Sequence, residues 1–312
     1  MNKDSKILVT GCQGMLGWAM VRELDQLGYD NVSCIDRVDY DLLNQRRVWE
    51  LFEKERPEYV FHIAAKVGGI FANDSQSGAF IYENLMMQCN VIEAARIYNV
   101  KKLLFCGSAC IYPKDTAQPI KEDSLLTGSL EKTNIGYAIA KISGVVMCQM
   151  YRKQYGCNFV SVMPTNIYGR GDNFNSNTAH VVPGLINKFN DAKVNKSLSV
   201  EVWGTGEASR EFIYVDDLAN GLVFVMNNYD DSEVINIGSG DIIKIKDVVQ
   251  TIKDVVRYNG DVVYNGVLEG VKDRSLDISK ITALGWQPKT KFEDGVKVVY
   301  DWYLNNYTFL RK

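Results

Sequence analysis

Histidine is nearly absent from this chain of 312 residues: only His62 and His180 occur, so a metal centre built mainly on imidazole is excluded by supply. Long apolar runs are missing as well. No stretch approaches the roughly 18 residues of a membrane-spanning helix, and Met1-Asn2-Lys3-Asp4 leads into a strand without the apolar core of a signal peptide. Charge excess is absent, since a net charge of -3 creates no field that would gather nucleic acid or an anionic membrane. Internal repeats, low-complexity tracts and flexible linkers are lacking, which implies lobes packed directly on one another. Cysteine is present seven times, at 12, 34, 89, 106, 110, 148 and 157, but the count is odd and no spacing repeats. Most of them are therefore expected to be buried thiols in a reducing, cytoplasmic compartment, in place of a disulfide framework or zinc site.

Among what is present, the stretch Gly136-Tyr137-Ala138-Ile139-Ala140-Lys141 stands out. The segment from about Thr133 to Gln154 is rich in Ala, Ile, Val and Met and free of proline, so it reads as a long, partly buried helix. Positions four apart share a helix face, which places the Tyr137 phenol and the Lys141 ammonium at one site. A nearby cation favours the phenolate, so this spacing predicts a lowered tyrosine pKa and a hydroxyl able to give a proton near neutral pH. Packing plus a solvated lysine is the alternative.

The rest of the chain supplies a setting for that pair. Lys6-Ile7-Leu8-Val9-Thr10 reads as a strand that ends at Gly11, and Gly14 and Gly17 follow, with a helical pattern from Met15 to Leu27. Such a turn aims backbone N–H groups and the positive end of a helix at a phosphate. A second strand, Asn31 to Ile35, ends in Asp36 and Arg37, about twenty residues on, where an acid binds a ribose hydroxyl and an arginine binds a 2′-phosphate. Asp36 favours NAD and Arg37 favours NADP, and both readings stay open. Further strands are expected at Tyr59–Ala65, Lys101–Gly107 and Asn158–Met163, with helices at Asn44–Glu55 and about Phe80–Tyr98. His62 reads as a core histidine, and Lys66 to Asn73 as a loop where a parallel sheet binds ligands.

Ser108 and Cys110 follow the fourth strand and share a side if the extended conformation persists. Past about residue 166 the alternation lapses: His180-Val181-Val182-Pro183 opens a helix to about Asn190, and Asp216 or Asp217 is expected to cap another. Val234 to Ile237 reads as a buried strand. The implied fold class is α/β, a doubly wound parallel Rossmann sheet with a smaller α/β C-terminal substrate lobe.

Gly11-x-x-Gly14-x-x-Gly17, Ser108 and Tyr137-x-x-x-Lys141 together resemble the extended short-chain dehydrogenase/reductase family. Ala65–Ile70, Gly107–Lys114, Pro164–Gly169, Asp172–Phe174, His180–Pro183 and Val202–Gly206 narrow the likeness to its GDP-L-fucose synthase branch, in order over nearly the whole chain. The resemblance implies an NADPH-dependent oxidoreductase, with NAD as the alternative, that reduces and epimerises a GDP-4-keto-6-deoxy sugar for polysaccharide synthesis, working as a homodimer. It implies a nucleotide domain of residues 1–166 plus about 210–238, and a sugar-nucleotide lobe of about 167–209 plus 239–312. By the same resemblance Tyr137, Lys141 and Ser108 reduce the ketone, and Cys110 and His180 form the epimerisation pair. Gly11, Gly14, Met15, Leu16, Gly17, Asp36, Arg37, Ala64, Lys141, Pro164 and Asn166 would line the cofactor, and Lys188, Trp203 and Arg210 would meet the GDP half.

Some positions depart from the branch. Lys188 replaces an arginine, Ala109 replaces a serine, and Gln13 stands where relatives that prefer NADP often carry a basic residue. A GDP-4-keto-sugar C4-reductase without inversion, such as one acting on a heptose, is the neighbouring alternative. A non-catalytic dinucleotide sensor is the alternative from another class, and retention of both Tyr137 and Lys141 argues against it. No Asp-Glu pair follows Ser108, which argues against a 4,6-dehydratase.

Overall fold

The computed structural model describes residues 1–35, 37–175, 178–267 and 273–306. The chain begins with regular alternation: β1 (Ile7–Thr10), α1 (Met15–Gln26), β2 (Val32–Cys34), α2 (Gln45–Glu55), β3 (Tyr59–His62), α3 (Ile70–Ser75), α4 (Ser77–Ile97), β4 (Lys102–Cys106), α5 (Ile135–Tyr155) and β5 (Phe159–Pro164). Then come β6 (Asn166–Tyr168), α6 (Val181–Val194), β7 (Ser199–Val202), β8 (Ser209–Tyr214), α7 (Val215–Asn228), β9 (Ile235–Ile237), β10 (Ile242–Lys244), α8 (Ile245–Val256), β11 (Asp261–Tyr264), β12 (Asp273–Arg274), α9 (Ser279–Ala283) and α10 (Phe292–Asn306). The order β2-β1-β3-β4-β5-β9 makes a six-stranded sheet whose pairings are all parallel.

Sheet position explains the sequence pattern. β1, β4 and β5 are buried at every residue, and they read as continuous apolar runs because helices cover both sheet faces. One cluster joins Leu16, Met20 and Leu24 of α1 to Leu218 and Leu222 of α7. The other joins Val48 and Phe52 of α2, Val91 and Ile92 of α4, and Ile142 and Val145 of α5. A third core, under α6, α8 and α10, backs a smaller sheet in which β8 pairs with β10, β12 and β6. Among the described residues, no helix is long and apolar enough to cross a membrane.

Several expectations give way here. The supposed loop after β3 already turns helical at Ile70, as α3, with Gly69 as its N-cap. α6 runs on to Val194, past the expected end near Asn190. Neither Asp216 nor Asp217 caps α7: the N-cap position falls on Tyr214, whose side chain makes no capping hydrogen bond, and both aspartates lie in the first turn. Asp217 instead accepts the Lys289 and Thr290 N–H groups at 3.2 and 2.7 Å, anchoring the approach to α10. The cysteine expectation also fails at one point, because Cys12 and Cys34 form a disulfide. Parallel pairing explains it: Val9 of β1 is in register with Cys34, so the turn three residues later passes beside the end of β2. The other five cysteines are free thiols.

The distance of α5 from β4 is set by a glycine. A Cβ on Gly144 would overlap the Phe105 ring, so only the bare backbone lets the helix lie this close. Overpacking at such a contact costs about 1–3 kcal/mol. Gly144→Ala is expected to lower the unfolding free energy by about that amount, seen as a lower denaturant midpoint at unchanged slope, and an unchanged midpoint would contradict the close contact.

Candidate active site

At the carboxyl end of β1 the backbone turns sharply. Gly11 has φ +78°, and a Cβ there would lie 2.8 Å from the Ala64 Cα, so Ala64 seals the floor of the turn. Gly14 donates its N–H to the Gly11 carbonyl at 3.0 Å and is the N-cap of α1, which starts at Met15. A Cβ on Gly14 would meet only the Gly11 oxygen, at 3.3 Å, which leaves the space before the helix open. Gly17 packs the helix onto the turn: its missing Cβ would overlap the Gly11 carbonyl. Leu16 fixes the opposite side in the core. Together they make a concave row of N–H groups at the positive end of α1.

Sequence reasoning passed over Thr10, which ties this floor together. Its hydroxyl accepts the N–H groups of Ile63 and Ala64, each at 3.1 Å, and lies 2.9 Å from His62 Nδ1. Burial, with a smaller push from Lys141, lowers the His62 pKa to about 3, so the ring is neutral and structural, as expected. Only the strand-end position of Thr10 could have signalled this. Arg37 is exposed beyond β2, whereas Asp36 lies outside the described residues. Pro164 ends β5, and Asn166 opens β6 with its amide donating to the Glu211 carbonyl at 2.9 Å.

The polar groups that follow β4 gather under α5. Ser108 does not continue the strand: residues 109–111 form a 3₁₀ turn, and Ser108 Oγ caps it by accepting the Cys110 N–H at 3.2 Å. Ser108 and Cys110 therefore share this neighbourhood through a turn and not through strand alternation. The buried Lys141 donates to the Cys106 carbonyl at 2.7 Å, and its Nζ is 6.0 Å from the centre of the Tyr137 ring. Burial brings the Lys141 pKa down to about 8. Tyr137 departs from the simple expectation. Burial first, and then the Cys110 and Cys106 thiols, push its pKa up, while a hydrogen bond with Ser108 pulls it down. Desolvation of the phenolate thus keeps the hydroxyl protonated, as a donor, at neutral pH.

A second set of side chains meets this centre from the smaller sheet. Arg274 donates to the carbonyls of Ala109 and Tyr112 at 3.0 and 2.8 Å, so a guanidinium holds the Cys110 turn from below. β12 places Arg274 in register with Arg210 of β8, and Arg210 lies within electrostatic reach of Cys110. Sequence reasoning overlooked Arg274, whose two-residue strand has no legible period. His180 caps α6 and is exposed, and the surrounding protein still lowers its pKa through desolvation. The preceding loop touches the turn after β3, where Gly69 N–H donates to the Thr178 carbonyl at 3.4 Å. Lys188 and Trp203 form a separate group, with the ammonium 5.6 Å from the indole centre and donating to the Glu201 carbonyl at 2.8 Å.

Ser108, Cys110, Tyr137, Lys141 and Arg210 thus converge at the end of β4, while Lys188 and Trp203 pair with each other. Residues 7–238 match the family described as NAD dependent epimerase/dehydratase. GDP-L-fucose synthase 1 of Arabidopsis thaliana is 46% identical over 306 residues, spanning 98% of this chain and 95% of that protein. Among solved structures, a GDP-6-OMe-4-keto-L-xylo-heptose reductase from C. jejuni superposes with a TM-score of 0.94 at 37% identity, covering 98% of this chain and 99% of that one. A GDP-L-fucose synthetase from Naegleria fowleri bound to NADP gives 0.92 at 32% identity, covering 100% and 98%. The glycine turn, the Tyr137–Lys141 helix and these likenesses agree: the chain belongs to the NAD-dependent epimerase/dehydratase family of extended short-chain dehydrogenases/reductases.

Proposed function

We propose that the protein is an NADPH-dependent reductase of a GDP-4-keto-6-deoxy sugar that also epimerises carbons 3 and 5, as a GDP-L-fucose synthase does. The observation that carries this reading is the convergence of Ser108, Tyr137 and Lys141 at the end of β4, beside a glycine turn shaped for a diphosphate. The open space before α1 suits a dinucleotide, with Gly11, Gly14, Met15, Leu16 and Gly17 at the diphosphate and Ala64, Pro164 and Asn166 along the cleft. Arg37 is the group available for a 2′-phosphate, which favours NADP over NAD. The nicotinamide cofactor, when bound, supplies the hydride.

This chain's residues do the rest. Tyr137 gives its proton to the carbonyl oxygen of the substrate, and Ser108 donates a hydrogen bond to the same oxygen. Lys141 holds the cofactor ribose, and its charge stabilises the phenolate as it forms. A 4-keto group acidifies the protons at carbons 3 and 5, so Cys110 and His180 serve as the base and acid of inversion, with Arg274 and Arg210 supplying positive charge beside Cys110. Lys188, Trp203 and Arg210 would receive the GDP half, and the nucleotide-binding part is taken as residues 1–166 plus about 210–238. A cytoplasmic homodimer in polysaccharide synthesis completes the proposal, supported by apolar side chains left exposed on the α4–α5 pair, among them Tyr82, Ile139 and Met150. The second reading is C4 reduction without inversion, favoured by the likeness to the C. jejuni heptose reductase.

Tyr137→Phe is expected to leave NADPH affinity within about twofold while reducing turnover of GDP-4-keto-6-deoxymannose by about 10²- to 10⁴-fold, the usual range for a general acid. Full turnover by the variant would refute the assignment. Because the Lys141 pKa is depressed to about 8, its ammonium is present below that pH and lost as pH rises through it. Reductase rate should accordingly decline above about pH 8, and this alkaline limb should vanish in Lys141→Met; a limb of unchanged position in that variant would remove Lys141 from the explanation. Incubation in deuterated water separates the two readings: label at carbons 3 and 5 is expected from the epimerase, and an unlabelled, fully reduced product would leave only the C4-reductase.

A further inference from the structure

We propose that Cys12 and Cys34 are a reversible thiol–disulfide site that weakens cofactor binding when oxidised, with a low-molecular-weight disulfide of the glutathione class as the oxidant. The proposal rests on the reading of the glycine turn as a dinucleotide site. Its own evidence is separate from that reading. Cys12 is the residue after Gly11 inside the turn, and Cys34 is the last residue of β2. Their Cα atoms are 5.8 Å apart, within the span that native disulfides bridge without backbone movement. The β1–β2 register fixes this closeness, so it does not depend on a mobile side chain.

The two sulfurs differ in access, which sets the order of events. Cys12 is 5% exposed, whereas Cys34 is open to solvent. Cys34 is thus the point of attack: its thiolate displaces one glutathione thiolate from glutathione disulfide and forms a mixed disulfide. The Cys12 thiolate then attacks the Cys34 sulfur, releasing the second glutathione thiolate. The two protons given up by the cysteines are taken by the two glutathione thiolates. The protein loses two electrons, and glutathione disulfide gains them. In the bridged structure Cys12 Sγ lies 3.0 Å from the Val9 carbonyl, which is placed to accept the thiol hydrogen once the bond is reduced.

Position makes the bond consequential. The turn after β1 and the end of β2 are the two walls between which the adenine-side ribose sits in a sheet of this kind. Arg37, the candidate for the 2′-phosphate, is three residues beyond Cys34. A covalent bridge between the walls restrains the turn from adjusting to a diphosphate. Among the described residues the other five cysteines are unbridged, which confines the device to the cofactor cleft.

The test equilibrates the full-length protein in glutathione buffers from reducing to oxidising, maps disulfides by mass spectrometry of unreduced peptides, and measures NADPH affinity of each form by calorimetry. The expected result is a Cys12–Cys34 linked peptide under glutathione disulfide and a dissociation constant raised at least about fivefold, the lower end of ordinary coupling between sites. Dithiothreitol should restore the affinity, and Cys34→Ser should bind NADPH like the reduced protein in every buffer. Absence of the linked peptide would overturn the proposal, as would a linked form with the affinity of the reduced one. If the reduced protein itself fails to bind NADPH or NADH, the dinucleotide reading of the turn is what fails, and the mapped peptide still reports whether the thiols pair.

Discussion

A buried ammonium must find an acceptor, and Lys141 finds the carbonyl of Cys106 at the last residue of β4. That single bond ties the helix carrying Tyr137 and Lys141, the proposed acid–base pair, to the strand end where the proposal puts the substrate oxygen. Gly144, one turn further along α5, lets the same helix settle against the Phe105 ring. The Lys141 bond is electrostatically exposed to change: with burial lowering its pKa, Lys141 keeps its proton near neutrality by a narrow margin. Tyr137 moves the other way and holds its proton firmly. A loaded acid beside a marginal cation is a pairing fit for giving up one proton when charge develops on an oxygen nearby.

The smaller sheet is organised around a second buried charge. Glu211 of β8 is fully buried, and its two carboxylate oxygens accept the N–H groups of Gly240 and Leu276, each at 2.8 Å. Its carbonyl receives Thr165 and Asn166 from the end of β5. One residue therefore joins the central sheet, β8 and the segment that bears Arg274. Burial pushes the Glu211 carboxyl upward despite those donors, so the anchor depends on every partner being in place. Arg210, next along β8, inherits its position from this network.

Much of the fold was legible because its physics is periodic. Buried parallel strands are continuous apolar runs, and β1, β4 and β5 announced themselves as such. The turn was legible because φ near +78° and the approach of Ala64 leave Gly11 no substitute. What stayed hidden depends on residues distant in sequence. The Cys12–Cys34 pair follows from strand register, Arg274 from a two-residue strand, and the 3₁₀ turn at Ala109 from a serine that caps instead of extending. The Tyr137 pKa was misjudged for a similar reason: helical spacing reveals a neighbouring cation but not the loss of water.

The two chemistries proposed for the site place different demands on this architecture. Reduction uses Ser108, Tyr137 and Lys141, all fixed by β4, the turn after it and α5, and so depends on one rigid contact. Inversion adds Cys110, held in the same turn by Ser108 and Arg274, and His180, carried at the head of α6 on other supports. The acid and base of inversion thus stand on different scaffolds. Small changes in how α6 approaches the central sheet would alter epimerisation while leaving the reducing triad untouched.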